Sequence, residues 1–119
     1  IKEEKICILD LETTGFEPED SEIIEIFILK VLNNKIVDEF YSLIKPKNNI
    51  QNSHIHGISD DKVQNAPHIN EISEKIFHFM ENDILVGHNL IKFSLKILNY
   101  HLNKKIKNLL KNTGCYSTN

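Results

Sequence analysis

Two acidic residues near the start of the chain, Asp10 and Glu12, are the side chains best suited to chemistry. They follow the apolar run Ile6-Cys7-Ile8-Leu9, which predicts a buried strand, and residues two apart on a strand point to the same face. Two carboxylates held together repel each other unless a cation neutralises them. Their hard oxygen atoms suit Mg²⁺ or Mn²⁺, which bind phosphate in turn. The pair therefore predicts a metal site for phosphoryl chemistry, with an ordinary acidic strand end as the alternative.

The residues that follow, Thr13-Thr14-Gly15, strengthen the first interpretation. Small hydroxyl residues and a glycine allow the backbone to approach a ligand closely and offer N–H donors to it. We therefore expect this segment to bind substrate beside the two acids.

A second group, His54-Ile55-His56-Gly57-Ile58, allows three interpretations. Alternate histidines of an extended chain share a face and could bind a transition metal, although no further Cys/His cluster lies nearby. The segment could instead pack on a ligand through His56 and Ile58. It could also be a surface loop whose histidines are incidental.

A third group combines Val86-Gly87-His88-Asn89 with Phe93-Ser94. It predicts a strand that ends in Gly-His-Asn just before a helix, and sites in α/β sheets often lie at such strand ends. His88 and Asn89 are therefore candidate binding residues. The alternative for Asn89 is that it only caps the helix.

The elements that must position these groups follow from apolar periodicity and turn residues. Alternating or continuous apolar runs predict strands at 5–10, 21–31, 36–44 and 84–87, and Asn33-Asn34 predicts a hairpin between the second and third. Helical spacing predicts a short helix from Ser59, a longer one over 69–80, and a third over about 93–101 that residues 106–112 could extend. Three strands followed by helices around a further strand predict an α/β domain with a mixed sheet.

Length and composition bound the rest. The chain has 119 residues, which is enough for one small domain. No apolar run approaches the roughly 20 residues of a membrane span.

Two cysteines are too few for a disulfide framework, so we expect a reducing, cytoplasmic setting with Cys7 in the core. Residues 84–119 hold six lysines and no acid, a charge that suits either a nucleic-acid backbone or a solvated helix surface.

Taken in order, the motifs resemble one family, the DnaQ-like (DEDDh) exonucleases, which include the proofreading epsilon subunit of DNA polymerase III. The resemblance covers residues 5 to about 102 and implies an RNase H-like mixed sheet flanked by helices. The matching segments are Asp10–Gly15, Ile24–Ile26, Ile55–Val63 with Ala66-Pro67, and Leu85–Asn89 followed by Phe93.

The resemblance implies a 3′→5′ exonuclease that hydrolyses phosphodiester bonds with two Mg²⁺ or Mn²⁺ ions. Asp10 and Glu12 would bind the metals. The remaining candidates would contact the 3′-terminal nucleotide of single-stranded or frayed DNA, and they are Thr13, Thr14, Gly15, His56, Ile58, His88 and Asn89.

The chain departs from the family pattern at Ser94, where the family has a catalytic Asp directly after the Phe. The third family motif, a general-base His followed five residues later by an Asp, has no counterpart. We therefore expect one exonuclease-like domain, residues 1–119, that lacks the C-terminal part of the family domain and has little or no nuclease activity by itself.

The alternative to an exonuclease is a non-catalytic nucleic-acid-binding or end-trimming accessory domain. Family members of this kind occur within larger complexes of polymerases, helicases and CRISPR spacer integration. A metal-free structural domain with an incidental acidic pair is the remaining interpretation.

Overall fold

A computed structural model describes residues 4–50, 57–80, 83–102 and 115–118. Its elements are β1 (Lys5–Thr13), a 3₁₀ turn (Pro18–Asp20), β2 (Ile23–Leu32), β3 (Lys35–Leu43), α1 (Asp60–Val63), α2 (Ile69–Met80), β4 (Ile84–His88), a π-helical turn (Leu90–Ser94), α3 (Leu95–His101) and β5 (Cys115–Thr118). The predicted strands and helices are present. The predictions for 106–112 and for His54 and His56 lie outside the described residues.

The five strands form one mixed sheet in the order β3-β2-β1-β4-β5. The β1–β2 and β2–β3 pairs are antiparallel, and the β1–β4 and β4–β5 pairs are parallel. The hairpin turn between β2 and β3 has Asn33 at φ 53° and Asn34 at φ 63°. Two successive positive φ angles are what a two-residue hairpin requires, and Asn tolerates them well. This confirms the predicted mixed sheet and hairpin.

One face of the sheet carries the core. On β1, Cys7, Leu9 and Leu11 are buried and pack with α2 and α3. The predicted stripe of α2 supplies the buried side chains Ile72, Ile76 and Met80. β1 is longer than predicted, because its pairing with β2 continues from Asp10 to Thr13, past the apolar run. Tertiary pairing therefore extends the strand through the two acidic residues.

The opposite side of the sheet, called here the open face, carries Ile6, Ile8, Asp10 and Glu12 of β1. These residues alternate with the buried ones, and Ile8 is 40% exposed. Directly paired residues of neighbouring strands point to the same face. Phe27 and Glu25 of β2 therefore belong to the open face, since they pair with Asp10 and Glu12.

Gly87 allows β4 to lie close against β1. A Cβ atom at this position would lie 2.9 Å from the backbone oxygen of Leu9 and 3.1 Å from the Cδ1 of Leu90. The first distance is too short for a real Cβ atom, and the second would require the Leu90 side chain to shift. The absence of a side chain at Gly87 thus allows the end of β4 to reach the acidic end of β1.

None of the helices in the described ranges combines the length and apolar character needed to cross a membrane.

Candidate active site

Asp10 and Glu12 lie on the same face of β1, as their spacing predicts. Asp10 is exposed and Glu12 is half-buried, whereas the intervening Leu11 points into the core. The pairing with β2 shifts by one residue between Glu12 and Thr13. Such a bulge increases the local twist and often lies beside functional sites. Both carboxylates are therefore presented at the end of the strand, on the open face.

The end of β4 lies next to these acids. β1 and β4 pair in parallel with Ile6 opposite Ile84 and Ile8 opposite Val86. The pairing ends there, and Gly87 lies against the backbone of Leu9. By strand alternation His88 then falls on the face that carries Asp10. His88 is exposed. The structure therefore brings together the first and third predicted groups.

Asn89 turns the chain sharply after β4. Its φ of 49° is left-handed, and it occupies the N-cap position of the π-helical turn without a capping hydrogen bond from its side chain. The alternative that the Asn89 side chain caps the helix is therefore not supported, and its binding role stays a prediction. Its backbone N–H donates to the oxygen of Thr118 at 2.6 Å, and its carbonyl accepts the N–H groups of Phe93 and Ser94. Asn tolerates left-handed angles better than most residues. Asn89 thereby connects β4 to the π-helical turn, a feature often found at functional sites.

Ser94 ends the π-helical turn and is only 4% exposed. A neutral hydroxyl in this buried position adds no negative charge to the acidic pair. Its assignment to the catalytic position of the family stays a prediction.

The Thr13-Thr14-Gly15 segment forms a closed turn. The Thr13 hydroxyl donates to the Gly15 carbonyl at 2.7 Å. Thr14 and Glu22 are joined by two hydrogen bonds of 2.9 Å, one from each backbone N–H. The hydroxyl groups therefore shape the turn beside the acids, and their predicted contact with substrate stays a prediction.

The two remaining candidates come from the loop before α1. Ile58 is only 6% exposed and packs with Ile24 and Val63 in a small second core. Its buried side chain fixes the loop to the sheet, and its predicted contact with a base or sugar stays a prediction. His56 lies outside the described residues.

Phe16 was not among the predicted site residues. It follows the turn directly, is 83% exposed, and its ring centroid lies 6.2 Å from that of Phe93. An exposed aromatic ring beside a site is a surface on which a base can stack. The signal available in the sequence was the aromatic residue next to Gly15.

Glu25 and Tyr41 were also not among the site residues predicted from the sequence. The Tyr41 hydroxyl donates to the Glu25 carboxylate at 2.6 Å. This hydrogen bond is the main cause that raises the pKa of Tyr41 above its usual value. Glu25 pairs with Glu12 across the strands, so a third carboxylate lies on the open face.

The metal-binding prediction rests on Asp10 and Glu12. Across residues 4–50, 57–80, 83–102 and 115–118, no three His, Cys, Asp or Glu side chains are placed to hold a metal ion together. The chemistry of the two carboxylates suits a hard cation. A two-ion site would need further ligands.

A cavity of about 1100 Å³ borders the turn at Thr14. Its lining includes Thr14, Glu22, Lys45, His68 and His101, but neither Asp10 nor Glu12. The Glu22 carboxylate accepts the backbone N–H groups of two loop residues. We assign the chemistry to the acidic pair, because this cavity is lined by side chains that hold the loops together.

Known proteins of one family are similar to this chain. The family model described as Exonuclease (RNase T) matches residues 7–116. The DNA polymerase III subunit epsilon of Buchnera aphidicola is 36% identical over 110 residues, which cover 86% of this chain and 44% of that protein. A DNA polymerase III PolC-type protein of Thermotoga petrophila is 43% identical over 84 residues, 69% of this chain and 6% of that protein. The 3′-5′ exonuclease DinG of Staphylococcus aureus is 33% identical over 94 residues.

Solved structures show the same fold. Exonuclease I of E. coli, in complex with a dT13 oligonucleotide, matches 97% of this chain and 28% of its own with a TM-score of 0.83 at 12% identity. The likeness identifies the five-stranded sheet and its helices as RNase H-like, as predicted. The chain spans less than half the length of each of these relatives.

Proposed function

The chain belongs to the RNase T and DnaQ-like exonuclease family, and from this membership we propose that it binds DNA 3′ ends, with impaired hydrolysis. One observation carries the proposal. Asp10 and Glu12 lie on the open face at the end of β1, beside the end of β4. The site is therefore open to a strand of nucleic acid.

Asp10 and Glu12 are the residues that would hold the cation. Their hard oxygen atoms fit Mg²⁺ or Mn²⁺. Bound divalent ions would supply charge stabilisation at the scissile phosphate and activate water, with two ions in a complete site.

The surrounding residues position the nucleotide. The closed turn of Thr13, Thr14 and Gly15 presents backbone next to the acids. Phe16 offers an exposed ring for stacking of a base. His88, exposed and on the face that carries Asp10, would donate to phosphate or sugar oxygens. Single-stranded DNA bound to E. coli exonuclease I supports an oligonucleotide as the ligand.

Ser94 is the reason that we propose impaired hydrolysis. A serine at a position where the family has an acid removes one negative charge and one ligand from the metal site. Each loss of 1.36 kcal/mol in transition-state stabilisation slows a reaction about tenfold. The second candidate function follows from the same residue, since a site that binds a 3′ end without cleaving it would serve as an accessory domain of a larger DNA-processing protein.

The test compares the natural chain with Ser94→Asp on single-stranded DNA labelled at its 5′ end, with Mg²⁺ or Mn²⁺. We expect the natural chain to bind the oligonucleotide and shorten it slowly or not at all. Ser94→Asp should shorten it faster, and adding Asp10→Ala should abolish this gain. Ser73→Asp on α2 adds the same charge away from the site and is the control.

Two results separate the candidates. Equal, undetectable hydrolysis by the natural chain and Ser94→Asp, with retained DNA binding, supports the binding domain. Failure to bind either DNA or divalent cations contradicts the proposal as a whole.

A further inference from the structure

Glu25 of β2 lies directly opposite Glu12 of β1. The two are Cα partners in the antiparallel pair, so their side chains share the open face. Residues paired in this way have Cβ atoms about 4.5–5.5 Å apart, and like charges there destabilise the sheet. A second glutamate in this position therefore lowers the stability of the sheet, which suggests that it serves the function of the site.

Tyr41 of β3 fixes the position of Glu25. Its hydroxyl donates to the Glu25 Oε2 at 2.6 Å. Its ring packs edge-on against Phe27, with the centroids 6.0 Å apart and the planes at 63°. Phe27 in turn pairs with Asp10. Tyr41 thus holds the Glu25 carboxylate through one hydrogen bond and one ring contact, both on the open face.

The backbone geometry makes Glu12 sensitive to this neighbour. Regular pairing between β1 and β2 ends at Glu12 and Glu25, and the register shifts before Thr13 pairs with Ile23. A bulge turns the strand and changes the direction of nearby side chains. Glu12 therefore lies at the bulge itself, with a fixed negative charge on its β2 side. Asp10 lies two residues earlier on the same strand, and β4 runs along the other side of β1.

We propose that Glu25, held by Tyr41, is a positioning residue for the acidic pair. Its fixed charge disfavours orientations of the Glu12 carboxylate toward β2 and favours those toward Asp10, where a cation would be shared. The same charge adds to the negative potential at the pair and raises its affinity for divalent cations. The inference rests on the proposed function, because it requires Asp10 and Glu12 to bind a cation.

The test measures Mn²⁺ affinity by isothermal titration calorimetry for the natural chain and three variants. Glu25→Gln keeps the shape and removes the charge. Tyr41→Phe keeps the ring and removes the hydrogen bond. Glu39→Gln is the matched control, because it removes one exposed carboxylate of β3, opposite Leu29 on the same face, farther from Glu12.

We expect Glu25→Gln to weaken Mn²⁺ binding about tenfold, the usual cost of losing a group that orients a metal ligand. Tyr41→Phe should weaken it less, about threefold, for one hydrogen bond. Glu39→Gln should change it less than either. The difference between the natural chain and Glu25→Gln should shrink in 0.5 M KCl, since salt screens a charge effect and leaves a purely structural one in place.

Asp10→Ala is measured as well and should abolish binding if the acidic pair holds the cation. Given that result, equal Mn²⁺ affinities for Glu25→Gln and Glu39→Gln would overturn this inference and leave the proposed function intact. Complete loss of binding in Glu25→Gln would also overturn it, because Glu25 would then be a ligand. Failure of the natural chain to bind Mn²⁺ would overturn both this inference and the proposed function.

Discussion

Acidic side chains have opposite surroundings at the two ends of β1. Near its start, Cys7 faces the helices and its thiol donates to the Asp83 carboxylate at 3.2 Å. Asp83 is only 5% exposed and pairs with the Lys30 ammonium at 3.1 Å, which also lies over the ring of Phe79. Near the end of the strand, Asp10 is exposed on the open face.

The difference separates a structural acid from one that we propose binds a cation. A buried carboxylate is tolerated only with a counter-charge and hydrogen bonds, and both are present at Asp83. Asp10 stays hydrated, so its charge costs little in the folded protein and is available to a cation. The fold thus neutralises one acid internally and presents the other to solvent.

The substitution Asp83→Asn should have the largest effect and tests whether Asp83 has a structural role. Removing the carboxylate takes away the ion-pair partner of the largely buried Lys30 ammonium, and we expect a loss of about 3 kcal/mol in the free energy of unfolding. Urea denaturation measures it. Asp38→Asn is the control, because this exposed residue pairs with Lys30 across the strands and should change stability by less than about 0.5 kcal/mol. Equal losses in the two variants would contradict the structural role of Asp83.

The converse experiment is Asp10→Asn. We expect the free energy of unfolding to change by less than about 0.5 kcal/mol, as for other exposed sites. Mn²⁺ affinity should fall by more than about tenfold, because Asn keeps only a neutral carbonyl oxygen and removes one of the two negative charges of the acidic pair. Titration calorimetry and urea denaturation of the same sample measure both quantities. A destabilised variant with unchanged Mn²⁺ affinity would show that the two ends do not differ as described.

The exposed end should also bind nucleic acid through Phe16. Phe16→Ala removes an exposed ring and should weaken binding of a labelled single-stranded oligonucleotide by about 1 kcal/mol, roughly fivefold. Fluorescence anisotropy measures the affinity. Tyr100→Ala, which removes another exposed ring, is the control and should have a smaller effect. The stacking role is wrong if the two variants bind equally well.

The smallest effect concerns the Cys7 thiol. Burial, with the hydrogen bond and charge of Asp83, raises its pKa from 9.0 to about 12. At pH 8 a Cys115→Ser chain should therefore resist maleimide in the folded state and react once unfolded in urea. Mass spectrometry counts the modified thiols, and rapid labelling of the folded chain would contradict the closed environment of Cys7.

The same shift predicts a loss of stability with rising pH. The unfolded thiol loses its proton near pH 9, whereas the folded one keeps it until about pH 12. Between pH 9 and about 12 the folded state binds more protons than the unfolded state. The stabilisation that the Cys7 thiol contributes is therefore fully present below pH 9 and declines toward pH 12. Urea midpoints of the natural chain and Cys7→Ala, compared between pH 8 and 10, would show it.

Several elements followed from the sequence because their causes are local. Neighbouring residues alone determine three features, which the structure confirms: the Asn33-Asn34 turn, the apolar stripe of α2 and the apolar run of β1. The shared face of Asp10 and Glu12 follows from strand alternation alone. The order of the motifs was sufficient to identify the family.

Other features required contacts between distant segments. Pairing with β2 extended β1 to Thr13, and no local propensity predicts that extension. The left-handed Asn89 is held by Thr118 and the π-helical turn, so its role as a helix cap could not be judged from its type. Ile58 packs with Ile24 and Val63 in the second core, a contact between distant segments that its loop sequence does not show, and its contact with a nucleotide stays a prediction.

The sequence by itself determined that Asp10 and Glu12 share one face of a strand, because residue types and a spacing of two fix which groups lie together. Only the tertiary structure decided which acids are neutralised and which stay hydrated, and it placed Glu25 beside Glu12 and the end of β4 beside β1. Solvation and charge pairing depend on what packs against each group in three dimensions, and residues far apart in the chain supply those neighbours.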